Sequence, residues 1–184
     1  MTWTIAPIVE GHGDVQAVPV LLRLLAPTVR VASPVRFPKT KLLIESELRR
    51  AVSIARSNIS DPARGLVLLI LDCDEDCPAS LGPRLLQVMH SVASPASCFV
   101  VVVKREFESW IVGGHPLLDE SNPEAAGMPK NLIATINGGQ YKETVDQARF
   151  AAAIEPQRLF TRSQSFRRLF DRLRQIPDAT ASHL

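Results

Sequence analysis

The sequence predicts an α/β fold, a parallel sheet of about four strands flanked by helices, with a helical extension after it. Three observations carry this. The runs Leu66-Val67-Leu68-Leu69-Ile70-Leu71 and Cys98-Phe99-Val100-Val101-Val102-Val103 are unbroken and apolar, as strands buried on both faces are. Segments of helical periodicity alternate with them, as βαβ units require. Acidic residues follow the apolar runs, at the strand ends where open α/β sheets bind ligands.

In chain order, residues 4–9 form the first strand. Glu10-Gly11-His12-Gly13-Asp14 turns the chain into an amphipathic helix over residues 15–25. Gly11 and Gly13 permit a tight turn, and Asp14 is a plausible N-cap. Residues 29–37 are extended and broken at Pro34. Residues 42–57 read as a helix with Leu43, Leu48, Ala51, Val52 and Ala55 on one side. Residues 66–71 are the third strand, 81–92 a helix and 97–103 the fourth strand. Residues 106–112 make a short helix closed by Gly113-Gly114. Residues 116–129 are loop. Helices are expected at 130–137, 143–153 and 163–174. No linker divides the chain, so we expect one domain over 1–184, with a core of about 1–115 and an extension of about 116–184.

The acidic cluster Asp72-Cys73-Asp74-Glu75-Asp76 ends the central strand. Asp72 and Asp74 are two apart, which puts both side chains on one side of an extended chain. Like charges that close call for a cation, and hard divalent ions such as Mg²⁺ take oxygen ligands. Glu10 ends the first strand at the same sheet edge. The glycine turn after it is neither a Walker loop nor a dinucleotide fingerprint. Glu106 and Glu108 approach that edge from the fourth strand. As helix N-terminal acids they also suit the macrodipole. Trp110 reads as a core anchor.

Val9-Glu10-Gly11-His12-Gly13-Asp14, followed later by Leu71-Asp72-Cys73-Asp74, resembles the Toprim domain of topoisomerases, primases and overcoming-lysogenization-defect nucleases. The chain's size, Arg105-Glu106-Phe107-Glu108-Ser109-Trp110 and the tail resemble a small stand-alone Toprim-like family of unknown function, found mainly in bacteria. The likeness covers most of the chain. It implies a Toprim-like (Rossmann-like) sheet and Mg²⁺-dependent chemistry on phosphodiesters, with Mn²⁺ as a substitute. It implies Glu10, Asp72 and Asp74 as catalytic metal ligands, with Asp14 or Asp76 assisting. Glu108, the better match, or Glu106 would help hold a second ion, and Lys142 would reach the scissile phosphate. Topoisomerase activity is not expected, because Tyr141 is the only tyrosine and that reaction needs a tyrosine from another domain.

Composition fits this picture. The chain has 184 residues and 46% hydrophobic content, enough for a proper core. The apolar runs fall far short of a membrane span, and no signal-peptide pattern opens the sequence, so a cytoplasmic location is expected. Cys73, Cys77 and Cys98 match neither a zinc site nor a disulfide framework. Net charge is only +2, yet residues 30–56 and 149–174 each carry seven basic residues against two acids. Basic patches beside an acidic metal site suit a polyanion. Nucleic acid, DNA first, is the expected partner, with Arg167, Arg168 and Arg172 as contacts. His12 stands beside Glu10 and suits either a phosphate contact or a plain turn.

The leading expectation is therefore a metal-dependent nuclease, acting in a bacterial defence or DNA-processing system beside a partner ATPase. One alternative is a non-catalytic Toprim-like module that binds nucleic acid or that ATPase. Another is a haloacid-dehalogenase-like phosphohydrolase with Asp72 as nucleophile. In that class the Asp-x-Asp motif lies near the N-terminus, whereas here it is central.

Overall fold

The computed structural model describes residues 2–74 and 76–177. Glu75 of the acidic cluster lies outside them. The chain is α/β, with one parallel sheet between helical layers. Strand β1 (Thr4–Val9) leads into α1 (Asp14–Leu25). The short β2 (Arg30–Val31) and β3 (Val35–Arg36) both pair with β1. Then come α2 (Lys39–Leu42), α3 (Glu45–Ser57), β4 (Gly65–Asp72), α4 (Pro78–Ala93) and β5 (Ser97–Val103). After the sheet follow α5 (Glu108–Gly114), α6 (Pro129–Ile136), α7 (Glu143–Ala152), α8 (Pro156–Arg162) and α9 (Gln164–Arg174). The sheet order is β2-β1-β4-β5, with β3 continuing the β2 edge.

Strand alternation separates two cores. Ile5, Val9, Leu66, Leu68, Ile70, Val101 and Val103 face one side, where α1, α5, α7, α8 and α9 pack. Ala6, Ile8, Val67, Leu69, Leu71, Val100 and Val102 face the other, where α3 and α4 pack. Successive side chains leave a strand on opposite faces, so a strand buried on both shows no polar alternation. The C-terminal helices are not a separate annex. Ile133, Phe150, Leu159 and Phe166 share one core with the strands. Trp110 is fully buried and its Nε1 donates to Ser165 Oγ at 2.9 Å.

The break in the second extended segment has a backbone cause. The carbonyls of Trp3, Ile5 and Val9 accept from the amides of Arg30, Ala32 and Phe37. Pro7 is in the same phase and has no N–H to give that edge. Pairing stops opposite it and resumes at Ile8↔Val35.

Four local expectations change. The helix expected at 42–57 is two helices, separated at Leu43-Ile44. Helix α8 was not anticipated; it is only seven residues long and begins with Pro156, which suits the first helical turn. Gly113 and Gly114 lie inside the last turn of α5 instead of ending it. A Cβ on Gly113 would meet Pro123 Cγ at 2.6 Å and Leu159 Cδ1 at 2.9 Å, so glycine here permits close packing. Lastly, Asp14 is not the N-cap: Gly13 holds that position, and Asp14 is the first helical residue.

Candidate active site

The carboxyl ends of β1, β4 and β5 lie side by side, and each delivers an acid. Glu10 directly follows β1, and its Oε2 accepts the Asp72 amide at 3.4 Å. Asp72 is the last residue of β4. Glu108 opens α5, shortly after β5, and is 2% exposed. With Asp14, Asp74, Glu106, Glu143, Lys130 and Gln147 they line one pocket of about 220 Å³.

Asp14 folds back on the turn. Its Oδ2 accepts the Gly11 amide at 2.9 Å, and its Oδ1 accepts Gln147 Nε2 at 3.0 Å. Glu108 Oε1 accepts the Tyr141 hydroxyl at 2.8 Å and a longer contact from Gln147. The carboxylate of Asp72 has no hydrogen bond or ion pair among the described residues.

The electrostatics follow from crowding. Burial raises the Asp72 carboxyl well above the ordinary range, and the charges of Asp14, Glu10, Glu108 and Glu106 raise it further. Burial lifts Glu10 and Asp14 too, against the hydrogen bonds each accepts. Glu108 is pushed up to about 7, mainly by burial, with Lys130 and the Tyr141 hydrogen bond opposing. A buried acid loses hydration that only a counter-charge or donors can replace.

Two lysines supply local counter-charge. Lys130 pairs with Glu106 at 3.0 Å and with Glu143. Lys39 donates to the Cys73 carbonyl at 2.9 Å and pairs with Asp74 at 2.7 Å and Asp76 at 3.0 Å. It thereby pins the loop after β4. Glu10, Asp14, Asp72 and Glu108 have no cationic side chain in ion-pair contact among the described residues.

The sequence expectations divide. Glu10, Asp14, Asp72, Asp74 and Glu108 come to one pocket, and Glu106 joins them. Asp72 and Asp74 do not leave the chain as a matched pair. The strand ends at Asp72, and Asp74 takes a left-handed conformation with φ of 49°. Asp74 Oδ2 is held by Lys39. Asp76 is exposed, also held by Lys39, and does not line the pocket. Lys142 is exposed at the start of α7 and is not among the pocket-lining residues; only its backbone is engaged, its amide with the Asp146 carboxylate and its carbonyl with the Val145 and Asp146 amides. The lysine at the site is Lys130. His12 is exposed and outside the lining. Arg167 lies over Phe160, Arg172 lies near Phe99, and Arg168 lines a different cavity.

Tyr141, Glu143 and Gln147 were not foreseen. Only Gln147 left a trace: it precedes Phe150 and Ala151 by three and four positions, on the buried face of α7.

The donor set suits a hard cation, being all carboxylate oxygen with an unpartnered acid at its centre. As the side chains stand, no three acidic, histidine or cysteine residues converge to cage an ion among the described residues. A shared ion therefore requires side-chain rotation, above all at Asp74.

No protein-family model, curated protein or solved structure matches the chain.

Proposed function

We propose that the chain is a Mg²⁺-dependent Toprim-like nuclease that hydrolyses phosphodiester bonds in nucleic acid, DNA first. The observation that carries this is Asp72. Its carboxylate is unpartnered, half-buried and crowded by acids from β1, α1 and the start of α5. A fold keeps such a group at a stability cost, and perturbed acids in a cleft mark functional sites.

Glu10, Asp72 and Asp74 are the residues to hold the ion, with Asp14 and Glu108 beside them. When bound, the ion supplies positive charge to phosphate oxygens and acidifies water. The protein's own groups do the rest. Lys130 brings a cation to the pocket rim, where a phosphate oxygen would lie. Glu108, at about 7, can hold or release a proton near neutrality, as a general acid or base must. Tyr141 and Gln147 fix its orientation through their hydrogen bonds.

A non-catalytic module is the second reading, and one observation favours it: Asp74 and Asp76 are already tied to Lys39 by ion pairs. In that reading the domain binds nucleic acid or a partner ATPase without cutting. A carboxylate nucleophile at Asp72 fits less well, since the Asp72-Cys73-Asp74 motif stands in the middle of the chain and not near its start.

The test is a cleavage assay of the purified chain in Mn²⁺, with linear, nicked and single-stranded DNA and an RNA control. Cleavage abolished by Glu10→Gln supports hydrolysis. Binding without cleavage, with and without a partner ATPase, transfers the assignment to the module.

A further inference from the structure

We infer that a cavity beside the end of β5 holds a phosphate ester through Lys104 and Arg168. It measures about 290 Å³. Val101 and Val102 of β5 and the first turn of α4 wall it, and Lys104 and Arg168 stand at its rim. Their side chains have no hydrogen bond, ion pair or ring contact among the described residues.

That freedom is selective. Of the seven arginines in residues 149–174, six are engaged. Arg149 bonds Asn137 and Asp146, and Arg158 and Arg162 share Asp119. Arg167 donates to the Phe160 carbonyl, Arg172 to Gln175, and Arg174 lies over Phe170. Among the described residues Arg168 alone of the seven has no partner, and it lines a hollow with a second cation, Lys104, likewise without one there. One carboxylate, Glu124, also lines the cavity. Its Oε1 takes the Ser163 hydroxyl at 2.8 Å, the Ser165 amide at 2.9 Å and the Ser165 hydroxyl at 2.8 Å, so that oxygen is occupied by donors, and the two cations still leave the lining net positive.

Position supplies the second argument. Arg105, the neighbour of Lys104, lines a hollow that shares Asp74, Glu106 and Lys130 with the acidic pocket. Basic side chains thus run from the cavity toward the acids along the end of β5. A chain lying there would place one phosphate between Lys104 and Arg168 and another over the carboxylates. Fixing a phosphate beside the reacting one sets register without reading sequence. Naming the ligand as the flanking phosphate of the substrate rests on the phosphodiester reading; the anion site itself does not.

The test excludes metal throughout, in EDTA. Anisotropy of a labelled single-stranded oligodeoxynucleotide is titrated against salt for the wild type, the double variant Lys104→Ala/Arg168→Ala and the control Arg174→Ala. Losing two phosphate contacts flattens the slope of log K against log salt by about 1.4 on a single strand. Affinity at low salt should fall at least tenfold, with the control unchanged. Matched thermal unfolding shows that the double variant is folded. Inorganic phosphate and a mononucleotide, followed by NMR at Lys104, separate the sources. Phosphate binding lost in the double variant, without oligonucleotide binding in the wild type, assigns a small phosphate ester. A double variant equal to wild type, or a wild type that binds none of the three probes, overturns the inference. A wild type that holds phosphate here yet cleaves nothing in Mn²⁺ refutes the hydrolytic function and leaves this site standing.

Discussion

Glu108→Gln should stabilise the metal-free protein at high pH and do almost nothing at low pH. Glu108 ordinarily titrates near 4.5, and in the fold it titrates at about 7. Between those values the folded state keeps a proton that the unfolded chain has lost. Stability therefore falls as pH rises through this window, and the full penalty stands above pH 7. An interval of about 2.5 pH units, at about 1.4 kcal/mol each, amounts to roughly 3.5 kcal/mol. Glutamine is neutral and nearly isosteric, and its carbonyl oxygen still accepts from Tyr141 and Gln147. The gain should thus reach about 3.5 kcal/mol at pH 8 and vanish near pH 4.5. Urea unfolding in EDTA, repeated across that range, measures it. A variant less stable than wild type at pH 8, or a difference that does not change with pH, would refute the picture of a carboxyl held at a cost.

Gly13→Ala would drive a Cβ into Gln147 Oε1 and to 3.0 Å from the Glu143 carbonyl. Chemical denaturation should show a loss of about 1–3 kcal/mol, the usual cost of overpacking. Asp72→Asn should weaken Mn²⁺ binding in calorimetric titration while leaving the fold intact; unchanged affinity means that Asp72 is not a ligand. Lys130→Met removes a cation that restrains Glu108, so the pH at which the Glu108 penalty reaches its full value should move upward and the penalty itself should grow. A pH profile of stability superimposable on wild type would exclude that electrostatic link.

The strands were legible because burial on both faces leaves continuous apolar runs, and the acids at their ends follow from strand direction alone. Glu10, Asp72 and Glu108 reach one edge for that reason. Asp74 was misjudged at the point where the strand ceases: alternation holds only while the backbone stays extended, and its φ of 49° breaks the phase. Asp14 has the composition of a cap but lies one residue inside the helix, because Gly13 takes the cap position. Lys130 carries no local signature and Gln147 only its helical spacing to Phe150 and Ala151, since α6 and α7 reach the site by packing. Lys142, nearer in sequence to a plausible role, is turned outward at a helix start.

Gln147 bonds Asp14 across 133 positions. A nascent chain emerging at about 5–20 residues per second would expose Glu10 and Asp14 for roughly 7 to 27 seconds before their partner is made. All five strands, with the acids at the ends of β1, β4 and β5, exist by then, but the wall from α7 does not. The pocket is thus closed late, and a chain released before α7 is made would carry the carboxylates without the surface that organises them.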